Sequence, residues 1–103
     1  MNEDLKKRIT ETISSNRIML FMKGNPSMPQ CGFSAAVVNI LKELGVQYGS
    51  YNILADQELR EGLKAYSNWP TYPQLYLDGQ LVGGCDIVRD MHAKGELAPL
   101  LKG

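Results

Sequence analysis

The chain has 103 residues, enough for one domain and too few for two. Eleven basic residues balance eleven acidic ones without any like-charged block, which argues against nucleic acid and against a polybasic membrane anchor. No apolar run approaches the roughly 18 residues that span a bilayer, and the acidic start Met1-Asn2-Glu3-Asp4 is unlike a signal peptide. The expectation is a single domain over 1–103 acting in the cytoplasm.

Leu5, Ile9 and Ile13 recur every fourth residue among charged and polar neighbours, one stripe of a surface helix from about Asn2 to Ser15. Ile18-Met19-Leu20-Phe21-Met22 is continuously apolar and too short for a helix, so it reads as a strand buried on both faces. Lys23 to Gln30 is a loop by its Gly and Pro. Val37, Ile40, Leu41 and Leu44 have helical spacing, with Gly45 as the C-terminal cap. The loop therefore delivers Cys31 to the start of that helix.

A second strand is predicted from about Gln47 to Ile53. Asp56 caps a third helix with Leu59, Leu63 and Tyr66 on its apolar side, ended by Trp69-Pro70. Pro73 precedes the strand Gln74 to Leu77, and Asp78-Gly79 turns it back through Gln80-Leu81-Val82. Gly83-Gly84 breaks the strand. Asp86 caps a further helix with Ile87, Val88 and Met91; Gly95 interrupts it, and Leu97, Leu100 and Leu101 close the chain. A helical crossover makes the first two strands parallel, while the hairpin is antiparallel. The order predicts an α/β fold, a mixed four-stranded sheet with helices on both faces.

Cys31 and Cys85 are the only cysteines, too few for a disulfide scaffold. At a helix start, Cys31 meets unpaired N–H groups and a partial positive charge, and Lys23 adds a cation on the same loop. All three favour the thiolate, the species that attacks disulfides and binds metals. The plainer alternative is a small buried hydrophobe. Cys31-Gly32-Phe33-Ser34 has the spacing of a Cys-x-x-Cys redox pair, but Ser34 cannot close an internal disulfide, so the sulfur's partner must lie elsewhere. His92 reads as a surface residue with no partner constellation.

Cys-Gly-Phe-Ser heading a helix, Lys23-Gly24 after the first strand, Trp-Pro-Thr-Tyr-Pro-Gln from Trp69 to Gln74, and Gly-Gly-Cys-Asp from Gly83 to Asp86 occur in order over nearly the whole chain. Together they resemble the CGFS monothiol glutaredoxins, more narrowly the short single-domain bacterial type. The resemblance implies a thioredoxin-like fold. It also implies a cis bond before Pro73, aiming the Tyr72 main chain toward Cys31 so that an extended thiol peptide can pair with it. A rigid turn is the simpler reading of the same residues.

The resemblance further implies glutathione as ligand. Lys23 and Arg60 then take its glycyl carboxylate, for which the guanidinium fork is well suited; from periodicity alone Arg60 is a solvated helix position. Gly83-Gly84 lets a ligand approach the backbone, or simply ends a strand. Cys85 and Asp86 open a helix whose N–H groups suit the γ-glutamyl carboxylate, with Asp86 on its amino group; as a plain feature Asp86 is an N-cap. Cys85 is either a resolving thiol for Cys31 or a buried small side chain.

Two functions follow. In the first, a labile 2Fe–2S cluster is held by Cys31 and glutathione from each of two protomers, monomeric when apo, with BolA-like proteins and apo iron–sulfur proteins as partners. In the second, Cys31 is the sole nucleophile of a glutathione-dependent thiol–disulfide oxidoreductase. The resemblance ranks the carrier first, since the class is poor at the second reaction. An inert interaction module fits badly with Lys23, Cys31, Arg60, Pro73 and Asp86 occurring together. Tyr72 stands where phenylalanine is common.

Overall fold

The computed structural model describes all 103 residues. Helix α1 (Glu3–Ile13) begins on Asn2, whose side-chain oxygen accepts the Leu5 N–H at 2.7 Å, and Glu3 and Asp4 complement the positive end of its dipole. It stops at Ile13, short of the expected Ser15, where the Ser15 N–H turns to the Thr12 carbonyl at 3.3 Å, a tighter closure than the helical bond.

Strand β1 (Ile18–Met22) is buried along its whole length, as the unbroken apolar run predicts. A short hairpin follows, β2 (Gly24–Asn25) and β3 (Met28–Pro29), inside the segment expected to be plain loop. The Asn25 side chain accepts from the Met28 N–H and the Ser27 hydroxyl, which closes its turn. Gly24 has φ +90°, and a Cβ there would lie 2.6 Å from the Met28 carbonyl oxygen, so only glycine fits.

Helix α2 (Gly32–Leu44) starts from Cys31 as N-cap and ends on Gly45 in the left-handed region. Strand β4 (Gly49–Asn52) is shorter than the predicted 47–53, because Ile53–Ala55 coil into a 3-10 turn. Helix α3 (Gln57–Ser67) is capped by Asp56, as expected. Its buried face is Leu59, Gly62 and Leu63, and Tyr66 is 39% exposed rather than apolar-facing. The reason is close approach of α1: a Cβ on Gly62 would sit 3.0 Å from Leu5 and Ile9 side-chain carbons.

Strands β5 (Gln74–Leu77) and β6 (Gln80–Gly83) meet at Asp78 and Gly79, both with positive φ, the backbone of a tight hairpin turn. Leu75 pairs with Gly83 and Tyr76 with Leu81, so Val82 is the extra residue of a bulge. Helix α4 (Cys85–Ala93) has Gly84, not Asp86, as N-cap: the Val88 N–H already bonds the Gly84 carbonyl, which starts the helix earlier than predicted. Asp86 lies exposed in its first turn. Helix α5 (Leu97–Lys102) follows Gly95.

The sheet order is β4-β1-β5-β6, with β1 parallel to β4 and the other pairs antiparallel. Alternate residues of β1 supply two cores. Ile18, Leu20 and Met22 pack with α2, Val88, Leu97 and Leu101. Met19 and Phe21 pack with Ile9, Ile13, Leu59, Leu63, Tyr72 and Tyr76. Helices therefore cover both faces, the predicted α/β arrangement. No helix is long and apolar enough to cross a membrane.

Candidate functional site

The end of β1 and the start of α2 are fastened together at Cys31. The buried Ser34 hydroxyl oxygen accepts the Lys23 N–H at 3.1 Å, and the Gln30 N–H donates to the Lys23 carbonyl at 2.9 Å. Asn52 reaches over from β4 to accept the Gly24 N–H at 3.0 Å. Between these anchors the half-buried Cys31 has extended backbone and opens α2 as its N-cap. Burial pushes the thiol up, but the Ser34 and Phe33 N–H groups, the Lys23 charge and the Ser34 hydroxyl outweigh it and hold Cys31 below its ordinary value. Ser34, which the sequence reading valued only for lacking sulfur, thus acts on both the loop and the thiol.

A cleft of about 490 Å³ is lined by α3, the Trp69–Tyr72 turn and the start of α4, with Lys23 and Phe33 from the Cys31 side. Lys23, Arg60, Tyr72, Gly84, Cys85 and Asp86 all line it. Cys31 and Pro73 are not on its wall; Lys23 and Phe33 connect it to the thiol. The Tyr72–Pro73 bond is cis, as the resemblance implies. The Tyr72 main chain takes no part in the backbone hydrogen bonds of the chain. Both cysteines are free thiols, and Cys85 is buried as the first residue of α4.

The cleft also has members that the sequence reading missed. Lys64 lines it one turn after Arg60 and pairs with Glu61 at 3.6 Å; the four-residue spacing from Arg60 is a signal that finds it. Trp69 and Phe33 line it too, and nothing in their local pattern reveals this. Gln74 braces the turn from within: its amide donates to the Trp69 and Thr71 carbonyls at 3.1 and 3.2 Å and accepts from the Tyr76 hydroxyl at 2.8 Å. The Tyr72 hydroxyl donates to the Arg60 carbonyl at 2.8 Å, and burial pushes its pKa far up, so it remains a donor.

Two buried polar atoms have no partner, Nε of Arg60 and Nε1 of Trp69, and both residues line this cleft. Gly84 packs against the indole: a Cβ there would lie 3.0 Å from Trp69 Nε1. His92 lies away from the cleft. It is half-buried and not without a partner, as its Nε2 is 3.5 Å from a Glu43 carboxylate oxygen across the α2–α4 contact.

A mixed sheet with helices on both faces, a cis-proline turn and a cysteine opening the first crossover helix with serine at the dithiol position define a thioredoxin-like protein of the one-cysteine motif. The Glutaredoxin family model matches residues 18–82. A probable monothiol glutaredoxin 2 of Rickettsia typhi is 54% identical over 101 residues, covering 98% of this chain and 90% of that one. The solution structure of reduced poplar apo GrxS14 superposes with a TM-score of 0.81 at 49% identity, covering 95% of this chain and 90% of that one. Rice monothiol glutaredoxin-S11 is 54% identical over 95% of this chain, which spans only 20% of that longer protein. The chain belongs to the glutaredoxin family, in its monothiol CGFS class.

Proposed function

We propose that the chain, acting as one domain, binds glutathione beside Cys31 and carries a labile 2Fe–2S cluster between two copies of itself. The observation that carries this reading is a thiolate-favouring cysteine with serine, not sulfur, at the dithiol position, next to a cleft lined by Lys23, Arg60 and Lys64 with Asp86 as the one carboxylate. Glutathione has two carboxylates, one ammonium and one thiol, and the cleft's charges complement them. The free main chain of Tyr72 suits an extended peptide added like a strand.

The donor set fits a shared cluster. No three His, Cys, Asp or Glu side chains converge within one chain, whereas Cys31 and a glutathione thiol from each of two copies make four sulfurs. When bound, the cluster supplies a transferable iron–sulfur unit. The chain's own residues do the rest: the α2 N–H groups and Lys23 keep the Cys31 sulfur anionic, and Arg60, Lys64 and the start of α4 orient the peptide. BolA-like proteins and apo iron–sulfur proteins are the partners the family implies, and the cytoplasm, where glutathione keeps thiols reduced, is the setting.

The test is anaerobic reconstitution with iron, sulfide and glutathione, read by visible absorption and size-exclusion chromatography. A coloured dimer that requires glutathione and is abolished in Cys31→Ser is expected. A colourless monomer that rapidly turns over a glutathionylated substrate would replace the carrier with a thiol–disulfide oxidoreductase using the same cysteine.

A further inference from the structure

We propose that the Tyr72 hydroxyl is a positioning group for the cleft: by donating to the Arg60 carbonyl it fixes helix α3, and with it the Arg60 guanidinium, against the turn that faces it. This deepens the glutathione reading and rests on it.

Arg60 has no side-chain hydrogen bond and no ion pair, and its Nε is buried without a partner. Nothing polar in the chain holds the guanidinium directly. Its place is set by the backbone that carries it, and the Tyr72 hydroxyl is the one side-chain group bonded to that backbone at Arg60, at 2.8 Å. Tyr72 is itself fixed. Its ring is 5% exposed and packs in the core shared by α1, α3 and β1. Both residues line one cleft, so the bond ties the α3 wall to the cis-proline turn.

The neighbouring network does a different task. Tyr76 and Gln74 brace the Trp69–Gln74 turn internally, and Tyr76 meets α3 only at Ser67, its last residue, not at Arg60. Tyr72 alone joins the turn to α3 at Arg60; the other hydroxyl tie, the Ser67 oxygen accepting the Trp69 N–H at 3.2 Å, lies at the last residue of the helix. A phenylalanine at this position fills the same core space and omits the tie. The helix carbonyl has a second lone pair and keeps its intrahelical bond, so removal of the hydroxyl leaves no buried group stranded.

The experiment titrates glutathione and γ-glutamylcysteine, which lacks the glycyl carboxylate, into the full chain by NMR without iron. Tyr72→Phe should bind glutathione about 3- to 10-fold more weakly, the reach of one neutral hydrogen bond, with γ-glutamylcysteine unchanged. In an Arg60→Ala background the same change should cost nothing further, because the effect passes through Arg60. Tyr76→Phe, a control for general loosening of the turn, should lower the melting temperature and leave the preference between the two peptides as it was. Unchanged glutathione affinity in Tyr72→Phe overturns the proposal, as does an equal loss for both peptides or an additive loss with Arg60→Ala. A wild-type chain that binds neither peptide overturns the glutathione reading, and this inference with it.

Discussion

The two ends of the α3 neighbourhood treat polar groups in opposite ways. Around Asp56, at its start, every group is engaged. The carboxylate pairs with Arg8, accepts from the Tyr51 hydroxyl at 2.6 Å and from the Leu59 N–H at 3.1 Å, while Arg8 also reaches Glu58 at 3.3 Å. One turn further on Arg60 Nε, and past the end of the helix Trp69 Nε1, are buried with no partner beside the cleft. An unpaired buried donor costs about 1–3 kcal/mol, and a structure able to saturate Asp56 does not leave such donors by general looseness. The saturated group fixes the start of α3; the unpaired donors line the cleft proposed to take glutathione.

Removing Asp56 tests the first half. Asp56→Ala deletes the α3 cap and the Arg8 and Tyr51 bonds to its carboxylate, and should lower unfolding free energy by about 2 kcal/mol in urea denaturation; a stable variant would mean the network is decorative. Arg60→Ala tests the second half in reverse. It should weaken glutathione about tenfold, while stability stays level or rises because a buried unpaired donor is gone. A drop in stability with unchanged affinity would invert the contrast.

Acid unfolding sharpens it further. Its hydrogen bond with Arg8 foremost, helped by Tyr51 and the Leu59 N–H, holds the Asp56 carboxyl down at about 2 despite burial. The unfolded carboxyl takes its proton near 3.9, so the unfolded state gains protons first as pH falls. The contribution of Asp56 is complete above about pH 5, declines toward pH 2 and is gone below it. Asp56→Asn should flatten stability across that window. The smallest effect is expected at Cys85→Ser, which should spare cluster yield; loss of the cluster would add Cys85 to its ligands.

The frame of the fold was legible wherever a local rule settles it. The unbroken run of β1, the left-handed Gly45 cap, the Asp56 cap and the Asp78-Gly79 turn depend on neighbours in sequence, and each appears as read. What failed depends on contacts between distant segments. Gly62 replaces Tyr66 on the buried face of α3 because α1 crosses there. Asp86 yields its capping place to Gly84, which packs on Trp69. The two-residue strands β2 and β3 are too short to leave a periodic trace. Within the site, Cys31 and Lys23 announce themselves through position, whereas Arg60 and Asp86 needed the family resemblance. Phe33, Trp69 and the hydroxyl tie of Tyr72 became visible only once the chain was folded.

Ser34 has a consequence for how such a protein can evolve. A single substitution to cysteine at that position supplies a second sulfur at dithiol spacing. The same change removes the oxygen that accepts the Lys23 N–H and reaches the Cys31 thiol. Sulfur is a weak acceptor, so Ser34→Cys would loosen the lysine beside it. The atom that denies this chain a motif disulfide is thus the same atom that fastens the Lys23 backbone.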